Sequence, residues 1–276
     1  MEQLDSTTAH PLFSPAQDVF PRRHTLVEVE HIDLVYQEQT AETLAIRDLS
    51  FTVDAGEFVS IVGPSGCGKT TVLSLLAGLF PPTAGTVRLS FGGNAGAAQV
   101  GYMLQRDHLF DWRTVEENVL LGLEVKRMLT PERRRHAFEL LDRYGLESFR
   151  KHFPRQLSGG MRQKVALIRT LAFNPTLLLL DEPFSSLDFQ TRLRLSDEVY
   201  NIIKKEQKTA VLVTHDISEA VSMSDRVLVF TERPARLKSE HPLDFDLLEP
   251  PLKRRNDPRF PGHFNAIWKE LDDHGI

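Results

Sequence analysis

Gly63, Pro64, Ser65, Gly66, Cys67, Gly68, Lys69 and Thr70 follow the pattern G-x-x-x-x-G-K-[ST], and these residue types in this order suit one task, the holding of phosphate. Glycines lack a Cβ, so successive backbone N–H groups can converge on an anion, and a helix starting there adds the positive end of its dipole. Lys69 supplies a mobile charge for β- and γ-phosphates, Thr70 offers a hydroxyl to Mg²⁺, and Thr71 completes the set. Much further along, Leu177, Leu178, Leu179 and Leu180 run into Asp181 and Glu182. A buried apolar strand ending in acid delivers carboxylates to the sheet edge where open α/β sheets bind ligands. Asp181 can hold a magnesium ion through its water shell, and Glu182 can orient or deprotonate an attacking water. Phosphate loop and acidic pair together imply a nucleoside triphosphatase. Cys67, the one cysteine, reads as a small filler of the loop, with no partner thiol for redox exchange.

The elements that must position these groups follow from apolar patterning. Strands are predicted over 26–30, 49–53, 58–62, 87–89, 100–104, 177–180, 210–213 and 227–230. The runs at 177–180 and 211–213 are apolar at successive positions, which fits parallel strands covered on both faces. A helix is predicted over 70–79, with Leu73, Leu76 and Ala77 on one side and Gly78 as a stop. Another spans 131–144, capped by Thr130 and opened by Pro131, and a third spans 158–172, with Met161, Val165, Ile168 and Ala172 on one face. Strands alternating with helices late in the chain predict an α/β core. The helix-rich stretch 106–174 interrupts that alternation and reads as an inserted subdomain. Arg133, Arg134, Arg135, Arg150, Lys151 and Arg155 make it locally basic, as a solvated face would be. Residues 1–24, polar and interrupted by Pro11, Pro15 and Pro21, are predicted to be a flexible extension, and the Gly/Ala-rich 92–98 a turn between strands.

Further groups carry a family resemblance. Leu157, Ser158, Gly159, Gly160 and Met161 open the 158–172 helix, Gln105 follows the strand 100–104, and His215 follows 210–213; Ser185, Ser186, Leu187 and Asp188 come after the acidic pair. In this order they resemble the nucleotide-binding subunit of an ATP-binding-cassette (ABC) transporter, over roughly residues 26–235. The resemblance implies a P-loop NTPase core with a small antiparallel β-layer and an inserted helical subdomain, spanning 25–240, and a C-terminal tail over 241–276. It implies ATP and Mg²⁺, with Thr70, Gln105 and Asp181 around the metal and Asp188 in the nucleotide-binding set. Glu182 and His215 are then catalytic, His215 contacting the γ-phosphate and positioning the water. Tyr36 resembles the aromatic on which adenine stacks, although it could equally cover the small β-layer.

Ser158, Gly159 and Gly160 place a hydroxyl and two Cβ-free amides at a helix N-terminus, which is an anion receptor. In the family this receptor faces the γ-phosphate held by a second copy, so that ATP lies between two chains. Ser158 also reads as an ordinary N-cap, worth about 1 kcal/mol, and the two roles coexist. The family motif usually ends in Gln where Met161 stands, which leaves Ser-Gly-Gly intact.

With 276 residues, 41% hydrophobic and 26% charged, the chain is composed like a folded globular protein. A net charge of −5 argues against a nucleic-acid backbone as partner, and a single cysteine suits a reducing compartment. No apolar stretch approaches the roughly 20 residues needed to span a bilayer. The membrane path would therefore come from separate permease subunits, with a periplasmic or lipid-anchored solute-binding protein. The expected location is the cytoplasmic face of the cell membrane. Phe110 and Trp112 sit in a loop where the family receives the permease's coupling helix; packing inside the helical subdomain is the other reading. The string from Trp112 to Val119, with Arg233, Pro234, Asp257, Phe260, Ile267 and Trp268, resembles the branch importing nitrate, sulfonates and taurine. Phe264, Ile267, Trp268 and Leu271 predict an amphipathic helix over 261–272 that packs on its own domain or serves a regulatory or dimer contact. Two rivals remain. A soluble ABC ATPase working on DNA or ribosomes would bring paired cassettes, long heptads or zinc-binding cysteines, and a non-catalytic nucleotide sensor would lack Glu182 or His215.

Overall fold

The computed structural model describes residues 24–37, 42–91, 100–246 and 249–272. Nearly all of the predicted N-terminal extension and the whole of the predicted 92–98 turn lie outside the described residues. The chain opens with β1 (Thr25–Gln37), β2 (Glu42–Asp54) and β3 (Phe58–Val62), then α1 (Lys69–Leu76), β4 (Ala84–Leu89) and β5 (Val100–Met103). Three helices follow, α2 (Val115–Val125), α3 (Pro131–Arg143) and α4 (Gly159–Leu171). The alternating part comprises β6 (Leu177–Asp181), α5 (Phe189–Lys205), β7 (Thr209–Val213), α6 (Ile217–Met223) and β8 (Arg226–Phe230). The described chain ends with β9 (Leu237–Pro242), α7 (Pro251–Arg254) and α8 (Phe260–Asp272).

Two sheets result. β2, β1 and β4 form a three-stranded antiparallel layer, and six strands in the order β5-β6-β7-β3-β8-β9 form the second sheet. Its first five strands are parallel and β9 is antiparallel to β8. The unbroken apolar runs do face two cores. Leu178 and Leu180 of β6 and Ala210 and Leu212 of β7 join the helical side, whereas Leu177, Leu179, Val211 and Val213 join the side covered by α1 and the antiparallel layer. Every residue of β3, β6 and β7 is buried, as a sheet covered on both faces requires.

The helical middle has its own capping logic. α2, which periodicity alone did not reveal, starts in a capping box: Thr114 accepts from Glu117 N while the Glu117 carboxylate accepts from Thr114 N at 2.7 Å. Thr130 caps α3 as predicted, with Pro131 in its first turn. Gly122 of α2 has no Cβ because the Phe173 ring occupies that space, 1.9 Å from where one would be. The local basicity is partly neutralised: Lys151 and Arg150 both reach the buried Glu116, and Arg150 also stacks over Phe138 at 3.8 Å.

Helix α1 is shorter than its predicted span. It ends at Leu76, Gly78 takes a left-handed φ of 68°, and Leu79 lies outside it and exposed. Helices α5 and α6 and strand β9 were not anticipated, and β9 straddles residue 240, inside what the sequence reading divides into domain and tail. The tail is bound to the sheet by burial. Arg254 is fully buried and donates to Tyr200 Oη, Ser222 O, Ser224 O and Asp246 O. Ile267 of α8 is fully buried against Ile217, Val221 and Val229, with Phe264 and Leu271 half-buried beside it. Trp268 departs from the predicted apolar face and is 50% exposed. No helix among the described residues is long and apolar enough to cross a membrane.

Candidate active site

Sheet order builds the site. The neighbouring parallel strands β5, β6, β7 and β3 each deliver a functional group just past their C-terminal ends: Gln105 after β5, Asp181 and Glu182 at β6, His215 after β7, and the phosphate loop after β3. Groups far apart in sequence thus meet along one edge, the usual ligand-binding edge of an open α/β sheet.

The loop itself turns on glycine. Gly68 has φ 124°, and a Cβ there would sit 3.3 Å from Ala45 O and 3.4 Å from Ala235 Cβ, so no other residue fits the approach. Lys69, 7% exposed, folds back over the loop and donates from Nζ to Gly63 O at 2.8 Å and Pro64 O at 2.9 Å. Its charge is therefore held against the loop by the loop's own carbonyls. Cys67 is buried and its thiol is pushed up by desolvation, so it is a poor nucleophile, in keeping with a filler.

Thr70 Oγ1 donates to Asp181 Oδ1 at 3.0 Å, and Tyr102 Oη donates to Asp181 Oδ2 at 3.4 Å. Burial holds the Asp181 carboxyl above its usual range, opposed by the Thr70 hydrogen bond, and burial together with Asp181 pushes the Tyr102 phenol up to about 12. A hydroxyl on the exposed Thr70 and a carboxylate on the buried Asp181, both hard oxygen donors, fit a small divalent cation such as Mg²⁺ at the cavity edge. Tyr102 was not recognised in the sequence, because nothing marks a strand tyrosine as the partner of a distant aspartate.

Glu182 leaves the strand with a left-handed φ of 44°, a strained conformation for a non-glycine residue, pinned by its N–H donating to Val213 O at 2.8 Å and its carbonyl accepting from Ser185. Gln105 Nε2 donates to Glu182 Oε2 at 3.1 Å, and His215 Nδ1 approaches the same oxygen at 3.2 Å. Both partners occupy one oxygen and leave Oε1 able to accept from another group.

A cavity of about 270 Å³ connects these parts, lined by Ser65, Gly66, Gly68, Lys69, Thr70, Thr71, Glu182 and Arg233. Tyr36 stands nearby, with its hydroxyl donating to Thr71 Oγ1 at 3.2 Å and its ring edge-on to Phe80, and 39% of its surface is exposed. A second cavity, about 410 Å³, brings Gly63, Pro64, Ser65 and His215 next to Trp268 and Leu271 of α8.

One predicted group stands elsewhere in the chain. Ser158 lines neither of these cavities and caps α4 by accepting from Met161 N at 3.3 Å. Gly159 and Gly160 lie against the Ser185–Asp188 stretch and α5: a Cβ on Gly159 would be 3.2 Å from Leu187 Cδ2, and one on Gly160 3.0 Å from Thr191 Cγ2. Asp188 caps α5, accepting from Thr191 N at 3.1 Å, and this bonding holds its carboxyl below the usual range. Phe110 and Trp112 stack with centroids 4.6 Å apart, Trp112 is 73% exposed, and buried Asn118 fixes their loop through bonds to Phe110, Arg113 and Thr114 backbone atoms.

Comparison with known proteins identifies the family. Residues 46–185 match the ABC transporter family. An uncharacterized ABC transporter ATP-binding protein of Bacillus subtilis is 47% identical over 250 residues, 90% of this chain and 96% of that protein. An aliphatic sulfonates import ATP-binding protein of Bacillus licheniformis is 38% identical, covering 84% of this chain and 88% of its own. A nitrate import ATP-binding protein of Synechocystis is 39% identical, covering 78% of this chain and 81% of its own. Among solved structures, a dimeric ATP-binding cassette in a post-hydrolysis state with ADP and Pi superposes with a TM-score of 0.67 at 31% identity, over 80% of this chain and all of that one. The chain therefore belongs to the ABC transporter family, as one of its ATPase cassettes.

Proposed function

We propose that this ATPase is the motor of a multi-subunit importer, and that two copies enclose ATP between the phosphate loop of one and the Ser158 helix of the other. The observation that carries this reading is the separation within one chain. Ser158, Gly159 and Gly160 form a complete anion receptor that lines neither cavity at the phosphate loop, so a second chain is the natural supplier of the facing half. The solved dimeric cassette of the same fold supports the pairing.

In the proposed reaction water attacks the γ-phosphate in line. Lys69 and the loop N–H groups neutralise the phosphate chain, with Ser158 and the amides at its helix start doing so from the other copy. Thr70 and Asp181, with Gln105 at the edge, are the residues that would hold Mg²⁺, which when bound supplies charge neutralisation on the phosphates. Gln105 and His215 hold Glu182 by one carboxylate oxygen, so that the other can accept a proton from the water. Tyr36 provides a ring for the base, and Asp188 orders the turn that meets the neighbouring copy.

Coupling to transport is assigned to the exposed Trp112, stacked on the half-buried Phe110 in a loop held by Asn118, which suits a docking helix of a permease subunit. A solute-binding protein would complete the complex at the opposite side of the membrane. The chemistry of the relatives' cargo points to a small oxyanion such as a sulfonate, taurine or nitrate. Reconstitution with the permease and solute-binding protein, scored for solute-stimulated ATP hydrolysis, tests this. Stimulation by one of these solutes is expected, and hydrolysis indifferent to every solute and to the permease would sink the importer reading.

A further inference from the structure

At the mouth of the phosphate cavity stands a guanidinium that no carboxylate among the described residues pairs with. Arg233 lines the same cavity as Lys69, Thr70 and Glu182, and its Nη2 donates to Gly66 O at 3.0 Å. It forms no ion pair among the described residues. Unpaired arginines on a surface are common, but this one is held in place. The 231–236 turn between β8 and β9 is closed by Thr231, whose N–H donates to Arg236 O at 3.0 Å and whose hydroxyl accepts from Arg236 N at 3.1 Å. Ala235, fully buried, is fastened to β2 in both directions: its N–H donates to Ala45 O at 2.9 Å, and Arg47 N donates to its carbonyl at 3.0 Å. The same Ala235 lies against Gly68 of the phosphate loop. Turn and loop thus share one rigid base, and the arginine projects from it.

We propose that Arg233 is a second cationic ligand for the phosphate chain of a bound nucleoside triphosphate, meeting it from the solvent side while buried Lys69 meets it from within the loop; this rests on the assignment of the loop as the nucleotide site. Only one of the five guanidinium donors is used by Gly66, so the remainder can form a charge-assisted, two-point contact with phosphate oxygens. Arg233 is held at the Gly66 carbonyl and shares its cavity with Lys69 and Thr70, so its attraction is offered to the phosphates that Lys69 also serves. A bracing role, in which Arg233 only steadies the Gly66 carbonyl, predicts something different, because a neutral donor would serve it equally.

The test is calorimetric titration of the full chain with ATP, ADP and AMP, with EDTA present to prevent turnover, for the native protein, Arg233→Gln and Arg233→Lys. Gln retains an N–H donor for Gly66 O without the charge. Arg233→Gln is expected to weaken ATP about tenfold, ADP less and AMP hardly at all, with an unchanged melting temperature before nucleotide is added. Lys at this position should recover part of the ATP affinity, and the deficit of the Gln variant should narrow as salt is raised. Native-like ATP binding by Arg233→Gln, or an equal loss for all three nucleotides, overturns the proposal. Lys69→Ala, run alongside, separates the two levels: if it too binds ATP normally, the loop is not the nucleotide site, and if it alone fails, only the role of Arg233 is wrong.

Discussion

Thr70 Oγ1 and Asp181 Oδ1 lie 3.0 Å apart, joining the first turn of α1 to the last residue of β6. The bond closes the gap in which a cation is expected, and it keeps a desolvated carboxylate from being wholly unpaired. Burial nevertheless raises the Asp181 pKa in the folded state, so its charged form costs stability above that value, and the cost vanishes as falling pH lets the native state take up a proton. Asp181→Asn is therefore expected to raise the melting temperature of the nucleotide-free protein at pH 8. That gain should shrink as pH falls through the carboxylate range, while ATP turnover is lost. A lower melting temperature at pH 8 would show the charge to be stabilised instead.

Glu182 receives Gln105 and His215 on a single oxygen. Glu182→Gln keeps the shape and removes the proposed base, so ATP binding should persist while single-turnover hydrolysis slows by about 10²–10⁴. ATP-loaded dimers should then accumulate in size-exclusion chromatography. Near-native single-turnover rates would remove Glu182 from the role of base.

The observed cap at Ser158 and its proposed role as a phosphate ligand are separated by one substitution. Aspartate caps helices as well as serine does, so Ser158→Asp should leave the unfolding free energy within about 0.5 kcal/mol of native. Its charge would nonetheless face the γ-phosphate of the neighbouring copy, and ATP-driven dimerisation and hydrolysis should both fail. Native hydrolysis by this variant would dismiss the shared-nucleotide arrangement.

Arg254 holds the tail to the domain through three backbone carbonyls and the Tyr200 hydroxyl while fully buried. Arg254→Met fills the volume but strips those acceptors of their donor, at a cost of about 3–5 kcal/mol. Urea unfolding should show this as a lower midpoint with an unchanged slope. A midpoint equal to the native one would mean that the tail contributes nothing to the stability of the core.

Local features were legible because their causes are local. The phosphate loop needs Cβ-free positions beside a lysine, the 177–180 strand needs leucine at every position because both faces are covered, and the caps at Thr130 and Ser158 lie within three residues of the amides they serve. The capping box at Thr114 and Glu117 is equally local, a T-x-x-E pattern that marks the start of α2. Helix α1 stops short because Gly78 turns left-handed, although the apolar spacing continues to Leu79.

The amino-acid order by itself determined the chemical inventory: which side chains could bind phosphate, bind a cation, take a proton or cap a helix. Only the tertiary structure decided which of them meet. Gln105, Glu182 and His215 converge because β5, β6 and β7 lie side by side, an order set by packing of the two cores and not by any spacing along the chain. Tyr102 and Arg233 joined the site for the same reason, and Ser158 was kept from it, since hydrogen bonds and charge act over a few ångströms of space whatever the number of residues between.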